Sequence, residues 1–316
     1  MKPYQKPDTT LWRGRSSTSH RYLHEKLECL ELDALPDHTS EHPAFVFLGY
    51  ACDEGVRRNS GRTGAVLGPA AIRKTMGGLA NHWSEETKIY DAGDIRCLDG
   101  DLEGAQAAMA EAIKWVVDKN IFPIVLGGGH DLAYAHARGL LRAKSKERWG
   151  IINLDAHFDL RIPKNQGHSG SPFYQLSQEQ GASFRYTCLG IQPEVNTTEL
   201  FQTAERTGTS FLLADDFHLD NQERIVRHLD AFIKDLDAIY LTIDLDGFHS
   251  VLAPGVSAPS PMGFDLSTAL FVLDYLVASG KLRSMDLVEL NPTYDRDECT
   301  ARLAGRLAYR LMYLMR

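Results

Sequence analysis

The chain is predicted to fold as a three-layer, doubly wound α/β domain around a mainly parallel central sheet. Three observations lead there. From residue 44 onward, short apolar runs alternate with segments of helical period, the pattern of successive β-α-β units. Several of the runs are apolar throughout, as strands buried on both faces must be. No internal repeat and no break in composition divides residues 44–316, so one catalytic-sized domain accounts for them.

Residues 1–43 are polar and punctuated by Pro3, Pro7, Pro36 and Pro43, with one helical patch at 20–30; they read as an N-terminal arm lying on the domain. The first core strand is 44–48. It runs into a long loop carrying Gly49, Gly55, Gly61, Gly64 and Gly68, after which Pro69 opens a helix from its first turn. A loop of that length in a compact domain is usually functional or disordered. A short strand at 89–91 precedes an amphipathic helix at 102–120, with Ala108, Ile113, Trp115, Val116 and Val117 on or near its buried side. Then follow a strand at 122–126, a helix at 132–143, and strands at 150–154, 186–191 and 211–214. A helix at 222–235, a strand at 238–244, a Pro/Gly-rich loop at 252–263 and a helix at 266–279 come next. The last strand is 285–290 and the closing helix 300–315.

Composition excludes several classes. Apolar residues at 43% and charged residues at 24% of 316 are those of an ordinary globular protein able to bury a large core. The formal charge of −8 argues against nucleic acid or an anionic membrane as partner, and bound cations would cancel part of it. Cys29, Cys52, Cys97, Cys188 and Cys299 are odd in number, scattered, and without a C-x-x-C pair, as expected of reduced thiols in a cytoplasm. The N-terminal stretch lacks an apolar core of signal-peptide length, and no run approaches 18 apolar residues. A cytoplasmic protein acting on a small molecule is expected, as a homo-oligomer.

Chemistry concentrates at three strand ends. WGIINLDAHFDLR at 149–161 places Asp155, His157 and Asp159 at i, i+2 and i+4, which extended chain would send out from one face. AIYLTIDLD at 238–246 ends in Asp244 and Asp246, and FPIVLGGGHD at 122–131 ends in three glycines and His130. A nucleotide loop does not fit the glycines: a dinucleotide fingerprint needs glycine where Leu132 stands, and a P-loop needs the absent Lys-Ser/Thr. A single strand-end aspartate is more often a helix cap or solvated acid. Here three strands converge where open α/β sheets place ligands. Four carboxylates and two imidazoles brought together would repel without cations among them. Two divalent ions balance four carboxylates, and an oxygen-rich set without thiolate suits manganese better than zinc.

Together with GGGHD (127–131), DAHFD (155–159), LTIDLDGF (241–248), APGVSAP (253–259) and VELNP (288–292), in this order and spacing, the chain resembles the ureohydrolase family of arginases, agmatinases and formimidoylglutamases over residues 44–316. The resemblance implies two Mn2+ per chain. One would be held by His130, Asp155, Asp159 and Asp244, the other by Asp155, His157, Asp244 and Asp246, with Asp155 and Asp244 bridging. It implies attack of a metal-bridging hydroxide on an amidine-type carbon, with Asp246 relaying the proton and Glu289 facing the nitrogen-bearing end of the substrate.

The stretches at 53–65, 169–176 and 190–201 resemble the formimidoylglutamase branch of the family. That branch implies hydrolysis of N-formimidoyl-L-glutamate to L-glutamate and formamide, in histidine degradation. Where arginases and agmatinases carry His-Gly in the active-site loop, this chain has Ser169-Gly170, so His168 is the candidate proton shuttle. Arg161 stands where arginases have a substrate-binding asparagine, and its guanidinium would suit a dicarboxylate. Asn196, Arg57 and Arg58 are the other candidate substrate contacts, the two arginines being equally suited to salt bridges within their loop. His136 and His249 lack partner spacing and read as structural or surface residues. Three alternatives stay open: a hydrolase of another guanidino acid; a single-zinc deacetylase-like enzyme, which has no evident use for both Asp159 and Asp246 as ligands; and a non-catalytic binding protein, which would have lost a ligand.

Overall fold

The computed structural model describes residues 3–316. Its strands are β1 (Tyr4–Gln5), β2 (Glu28–Cys29), β3 (Ala44–Ala51), β4 (Lys88–Arg96), β5 (Phe122–Leu126), β6 (Trp149–Leu154), β7 (Tyr186–Ile191), β8 (Ser210–Leu213), β9 (Ala238–Asp244) and β10 (Leu282–Val288). The helices are α1 (Leu23–Lys26), α2 (Glu54–Arg58), α3 (Gly68–Met76), α4 (Leu102–Asp118), α5 (Leu132–Ala143), α6 (Pro172–Gln180), α7 (Thr198–Thr207), α8 (Gln222–Ile233), α9 (Leu266–Ala278) and α10 (Cys299–Leu314).

The strands form one sheet in the order β1-β4-β3-β5-β10-β9-β6-β7-β8, with β2 also on β4. Only the β1–β4 pairing is antiparallel. Alternation along each strand divides the core into two layers. Phe45, Phe47, Ile124, Leu126, Ile152, Leu154, Leu241, Ile243, Met285 and Leu287 face α3, α8, α9 and α10. Val46, Leu48, Val125, Ile151, Tyr240 and Val288 face α4, α5, α6 and α7. Helices on both faces of a parallel sheet bury every strand, which is why these segments read as unbroken apolar runs. Among the described residues no helix is long and apolar enough to cross a membrane.

The chain departs from the expected elements in four places. The arm contributes β1 and β2 to the sheet edge, and the helical patch at 20–30 shrinks to the single turn of α1. The strand expected at 89–91 extends over Lys88–Arg96, because it has partners on both sides. Three helices, α2, α6 and α7, lie in stretches assigned no element, α2 within the expected glycine-rich loop. The fourth concerns the DAHFD segment, described next.

What matters for function is the sequence of neighbours β5-β10-β9-β6. Chain order passes from β5 to β6 while β10 and β9 later fill the gap between them. The C-terminal ends of these four adjacent strands open onto a single crevice.

Candidate metal centre

The three glycines after β5 permit backbone contact that no side chain would. A Cβ on Gly128 would sit 1.9 Å from the Cys52 carbonyl oxygen, and the next residue's N–H donates to that same oxygen at 3.0 Å. Held so, the loop turns His130 into the crevice, where its N–H donates to Glu289 Oε1 at 2.7 Å. His130 Nε2 lies 3.0 Å from Thr242 Oγ1, and the ring rests edge-on against Phe173.

His130 Nδ1 is 3.0 Å from Asp159 Oδ2, 3.0 Å from Asp244 Oδ2 and 3.3 Å from Asp155 Oδ2. Ligating atoms of these four residues all lie within 4.8 Å of one another. A second group unites Asp155, His157 and Asp246; His157 Nδ1 is 3.4 Å from Asp155 Oδ1 and 3.3 Å from Asp246 Oδ1. Asp155 therefore stands in both groups. Asp244 stands in the first group, and its Oδ1 accepts the Asp246 N–H at 2.8 Å.

The DAHFD carboxylates do not converge by strand alternation. β6 ends at Leu154, the chain bends, and Asp159 takes a left-handed backbone with φ 48°. That turn sends Asp155 and Asp159 to one group and His157 to the other. Glu289, just past β10, is likewise left-handed at φ 68°. Such conformations cost of order 1–3 kcal/mol outside glycine and persist where surrounding contacts over-determine them. Two of them on residues of one crevice mark where the fold stores strain.

The charges fit bound cations. His130 Nδ1 and Asp246 Oδ1 are buried without a hydrogen-bond partner among the described residues. If Nε2–H donates to Thr242, Nδ1 presents a lone pair to three carboxylate oxygens, an arrangement only a cation stabilises. Without one, protons must supply the positive charge. Burial lowers the pKa of His130, but contact with Asp155, Asp159 and Asp244 outweighs it and raises the imidazole well above its usual range. His157 is raised in the same way against its burial, by Asp246 and Asp155. Asp244 is pushed far up by burial and by the charges of Asp246 and Asp155. Burial and the facing Asp246 drive Glu289 up to about 8. Divalent ions would displace those protons.

Other residues expected in the site fall elsewhere. Arg57 and Arg58 are engaged by acids and carbonyls near their own helix. Arg57 pairs with Glu54 at 2.6 Å, and Arg58 is locked to Glu54, Glu103 and the carbonyls of Gly100 and Gly167. Asn196 is buried with its amide fully used: Nδ2 donates to the Ala156 and Gln192 carbonyls and Oδ1 accepts the Phe158 N–H. It clamps the DAHFD turn. His168 lies outside both ligand groups, and its Nδ1 accepts the Gly170 N–H at 3.2 Å, a loop-holding contact. Burial and the nearby Arg161 and Arg58 lower its pKa. Arg161 is exposed and has no acidic partner among the described residues. Its Nη1 lies 3.4 Å from Asn59 Oδ1, while Asn59 Nδ2 donates to Ser169 Oγ at 3.1 Å. His136, expected to be structural or at the surface, is fully buried against Asp286.

Thr242 and Asn153 are the supporting residues that the motifs alone did not single out. Asn153 Nδ2 donates to Asp155 Oδ2 at 2.9 Å and also reaches Tyr186. Each is a polar residue two positions before a strand-end aspartate, inside an otherwise apolar run. Same-face alternation was the available signal.

Residues 43–314 match the model of the arginase family. The formimidoylglutamase of Aeromonas hydrophila is 40% identical over 320 residues, covering 99% of this chain and 100% of that protein. The formimidoylglutamase of Ralstonia nicotianae is 42% identical over 314 residues, with 96% and 95% covered. The solved structure of Trypanosoma cruzi formiminoglutamase with manganese superposes with a TM-score of 0.76 at 28% identity, over 90% of this chain and 97% of that one. That of Bacillus subtilis formimidoylglutamase does so with a TM-score of 0.82 over 96% and 94%, at 19% identity, a likeness of fold.

Proposed function

The chain belongs to the arginase family, and from that premise we propose that it hydrolyses N-formimidoyl-L-glutamate to L-glutamate and formamide at a pair of manganese ions, as a cytoplasmic enzyme of histidine degradation. Near-full-length similarity to formimidoylglutamases supports the substrate. The observation that carries the chemistry is the buried, unpartnered His130 Nδ1 facing three carboxylates. His130, Asp155, Asp159 and Asp244 would hold one ion; Asp155, His157 and Asp246 would hold the other. Bound there, the ions would bring the pKa of a water molecule toward neutrality and so supply the nucleophile.

The chain's own groups do the rest. Asp246, with Oδ1 unshared, accepts the proton released as water adds to the formimidoyl carbon and returns it to the glutamate nitrogen. The bond from carbon to that nitrogen breaks, leaving glutamate with a free amine and the carbon as formamide. Glu289 keeps one oxygen on the His130 N–H and has the other for an N–H of the substrate's terminal nitrogen. The test is a panel of formimidoylglutamate, arginine, agmatine and guanidino acids with manganese-loaded protein, assayed for formamide, urea and ammonia. Formamide from formimidoylglutamate alone is expected; urea from a guanidino substrate, or stoichiometric ammonia, would refute the assignment.

Arg161 is the proposed reader of the substrate's distal carboxylates. A guanidinium without an acidic partner, two residues past Asp159, is placed to take a carboxylate in bidentate fashion. Arg161→Met should raise KM on the order of 10-fold or more, for the ~1.5–3 kcal/mol of a charged hydrogen bond. Manganese content and kcat should change little. A wild-type KM would make the arginine a surface residue.

A further inference from the structure

The candidate metal ligands stand at or just past the C-terminal ends of the strands, and a separate cleft of about 920 Å³ opens at the opposite end of the same sheet. Trp149 begins β6, Arg185 precedes β7, Ser210 begins β8 and Leu236 precedes β9, and all four line the cleft. The last turns of α5, α6 and α8 add Leu141, Gln180 and Phe232. The length of β6, roughly 20 Å of extended chain from Trp149 to Asp155, lies between the cleft and the metal groups. One wall is tied down: Thr187 Oγ1 donates to the Ser210 carbonyl at 3.1 Å and lies 2.7 Å from His228 Nε2, which joins α8 to the β7–β8 pair.

The charges of the lining are of both signs. Lys146 and Arg185 have no acidic partner among the described residues, and Arg185 donates only to the Ala182 and Phe184 carbonyls beside it. Glu147 and Asp235 likewise have no salt-bridge partner there, whereas Arg148 is held by Asp237 at 2.9 Å. A simple anion would meet Glu147 and Asp235, and a simple cation would meet Lys146 and Arg185, so each is opposed by half of the charges. A zwitterion suits both halves. Glu147 Oε2, Gln180 Nε2 and Ser210 Oγ are shut off from solvent without a hydrogen-bond partner among the described residues. Native interiors leave few such groups, because each is costly. These three belong to residues that border one cleft, where a ligand with both donors and acceptors supplies what the protein does not. Apolar surface completes the lining, with Trp149 and Leu236 buried and Leu141 and Phe232 half-buried. The volume falls within the ~300–1,000 Å³ usual for small-molecule sites.

We propose that this cleft binds a free α-amino acid with an apolar side chain, its carboxylate on Lys146 and Arg185, its ammonium on Glu147, and its side chain against Trp149, Leu141 and Phe232. Gln180 and Ser210 supply the remaining hydrogen bonds. The site is separate from the metal centre and stands whether or not the reaction assigned above is correct. Its occupant is bound and not transformed, since no nucleophile or metal group borders it.

Calorimetric titration of the full chain decides it, with L-leucine, L-phenylalanine, N-acetyl-L-phenylalanine and L-phenylalaninamide as probes. The acetyl form lacks the ammonium and the amide lacks the carboxylate. Both free amino acids should bind, and each capped form should bind about 10-fold more weakly or worse, the scale of a lost charged hydrogen bond. Joint replacement Lys146→Met and Arg185→Met should weaken L-phenylalanine by a similar factor, as should Glu147→Gln. Lys146 and Arg185 are exposed and Glu147 half-buried, so far-UV spectra should match the wild type. The capped probes need only the wild type, so the outcome stands even where a variant fails to fold. No binding of either free amino acid at millimolar concentration would overturn the proposal. So would capped forms that bind as tightly as the free ones, or binding that no folded variant weakens, which would place it elsewhere on the chain.

Discussion

Asp155→Asn should give a folded protein that has lost manganese at both positions and turns over substrate at a negligible rate. Asp155 is fully buried and is the residue common to both ligand groups. Its Oδ2 takes the Asn153 amide and its Oδ1 the His157 N–H, so both oxygens are aimed by the backbone and by a neighbour before any ion arrives. Asparagine has the same shape but carries no charge, and one of its two ends presents hydrogens where lone pairs are needed. If its nitrogen lies toward Asn153, two donors oppose each other; if its oxygen does, the nitrogen faces the ion. Losing an outer partner of a ligand costs about 10–100-fold in metal affinity, and losing the shared ligand itself should cost more. Metal content per chain by plasma emission, read beside kcat and the far-UV spectrum, checks this. Asp159→Asn is the control, because Asp159 belongs to the first group alone and should spare the second ion. One full equivalent of manganese with activity intact in Asp155→Asn would sink the shared role.

The candidate ligands were legible because parallel strands leave a double signal: an apolar run long enough to cross the sheet, then an acid or histidine where the run stops. His130, Asp155, Asp244 and Asp246 all carry it. The local path between them was not legible. Spacing at i, i+2 and i+4 suggested extended chain for DAHFD, but the positive φ of Asp159 depends on contacts brought by other strands and by Asn196. Side chains that act through tertiary partners were harder still. Arg58 closes α2 and Asn196 sits in the loop before α7, and nothing local distinguishes an arginine suited to substrate from one that meets Glu103. Arg161 differs only in lacking an acid nearby, a fact of three dimensions. Thr242 lay between the two, since its place in an apolar run was visible and its partner was not.

The largest effect on stability should come from a residue that sequence reasoning had no cause to notice, Arg73 in the first helix after the glycine-rich loop. Arg73 is 1% exposed, with Nη1 2.6 Å from Asp94 Oδ1 and Nη2 2.9 Å from Asp91 Oδ1 and 3.0 Å from the Gly93 carbonyl. Asp91 is buried as well and also accepts the Trp12 indole N–H at 2.6 Å and the Gly93 N–H at 3.0 Å. One cation thus ties α3 to β4, and through Asp91 to the N-terminal arm. Arg73→Met keeps much of the side-chain volume but leaves two carboxylates facing each other without a counter-charge. Breaking a buried pair in this way costs about 3–5 kcal/mol, because the remaining charge is stranded. Lysine should not rescue it, since one ammonium cannot reach Asp91, Asp94 and the Gly93 carbonyl in the planar fork they define. Asp91→Asn placed on Arg73→Met should recover part of the loss: the amide oxygen still serves Trp12 or Gly93, and one stranded charge is gone. Thermal unfolding of manganese-saturated protein, with a drop of roughly 5–10 °C expected for the single variant, separates the possibilities. A drop within error of zero would mean water already solvates these acids, and a double variant less stable than Arg73→Met would mean that the Asp91 charge is not what the arginine neutralises.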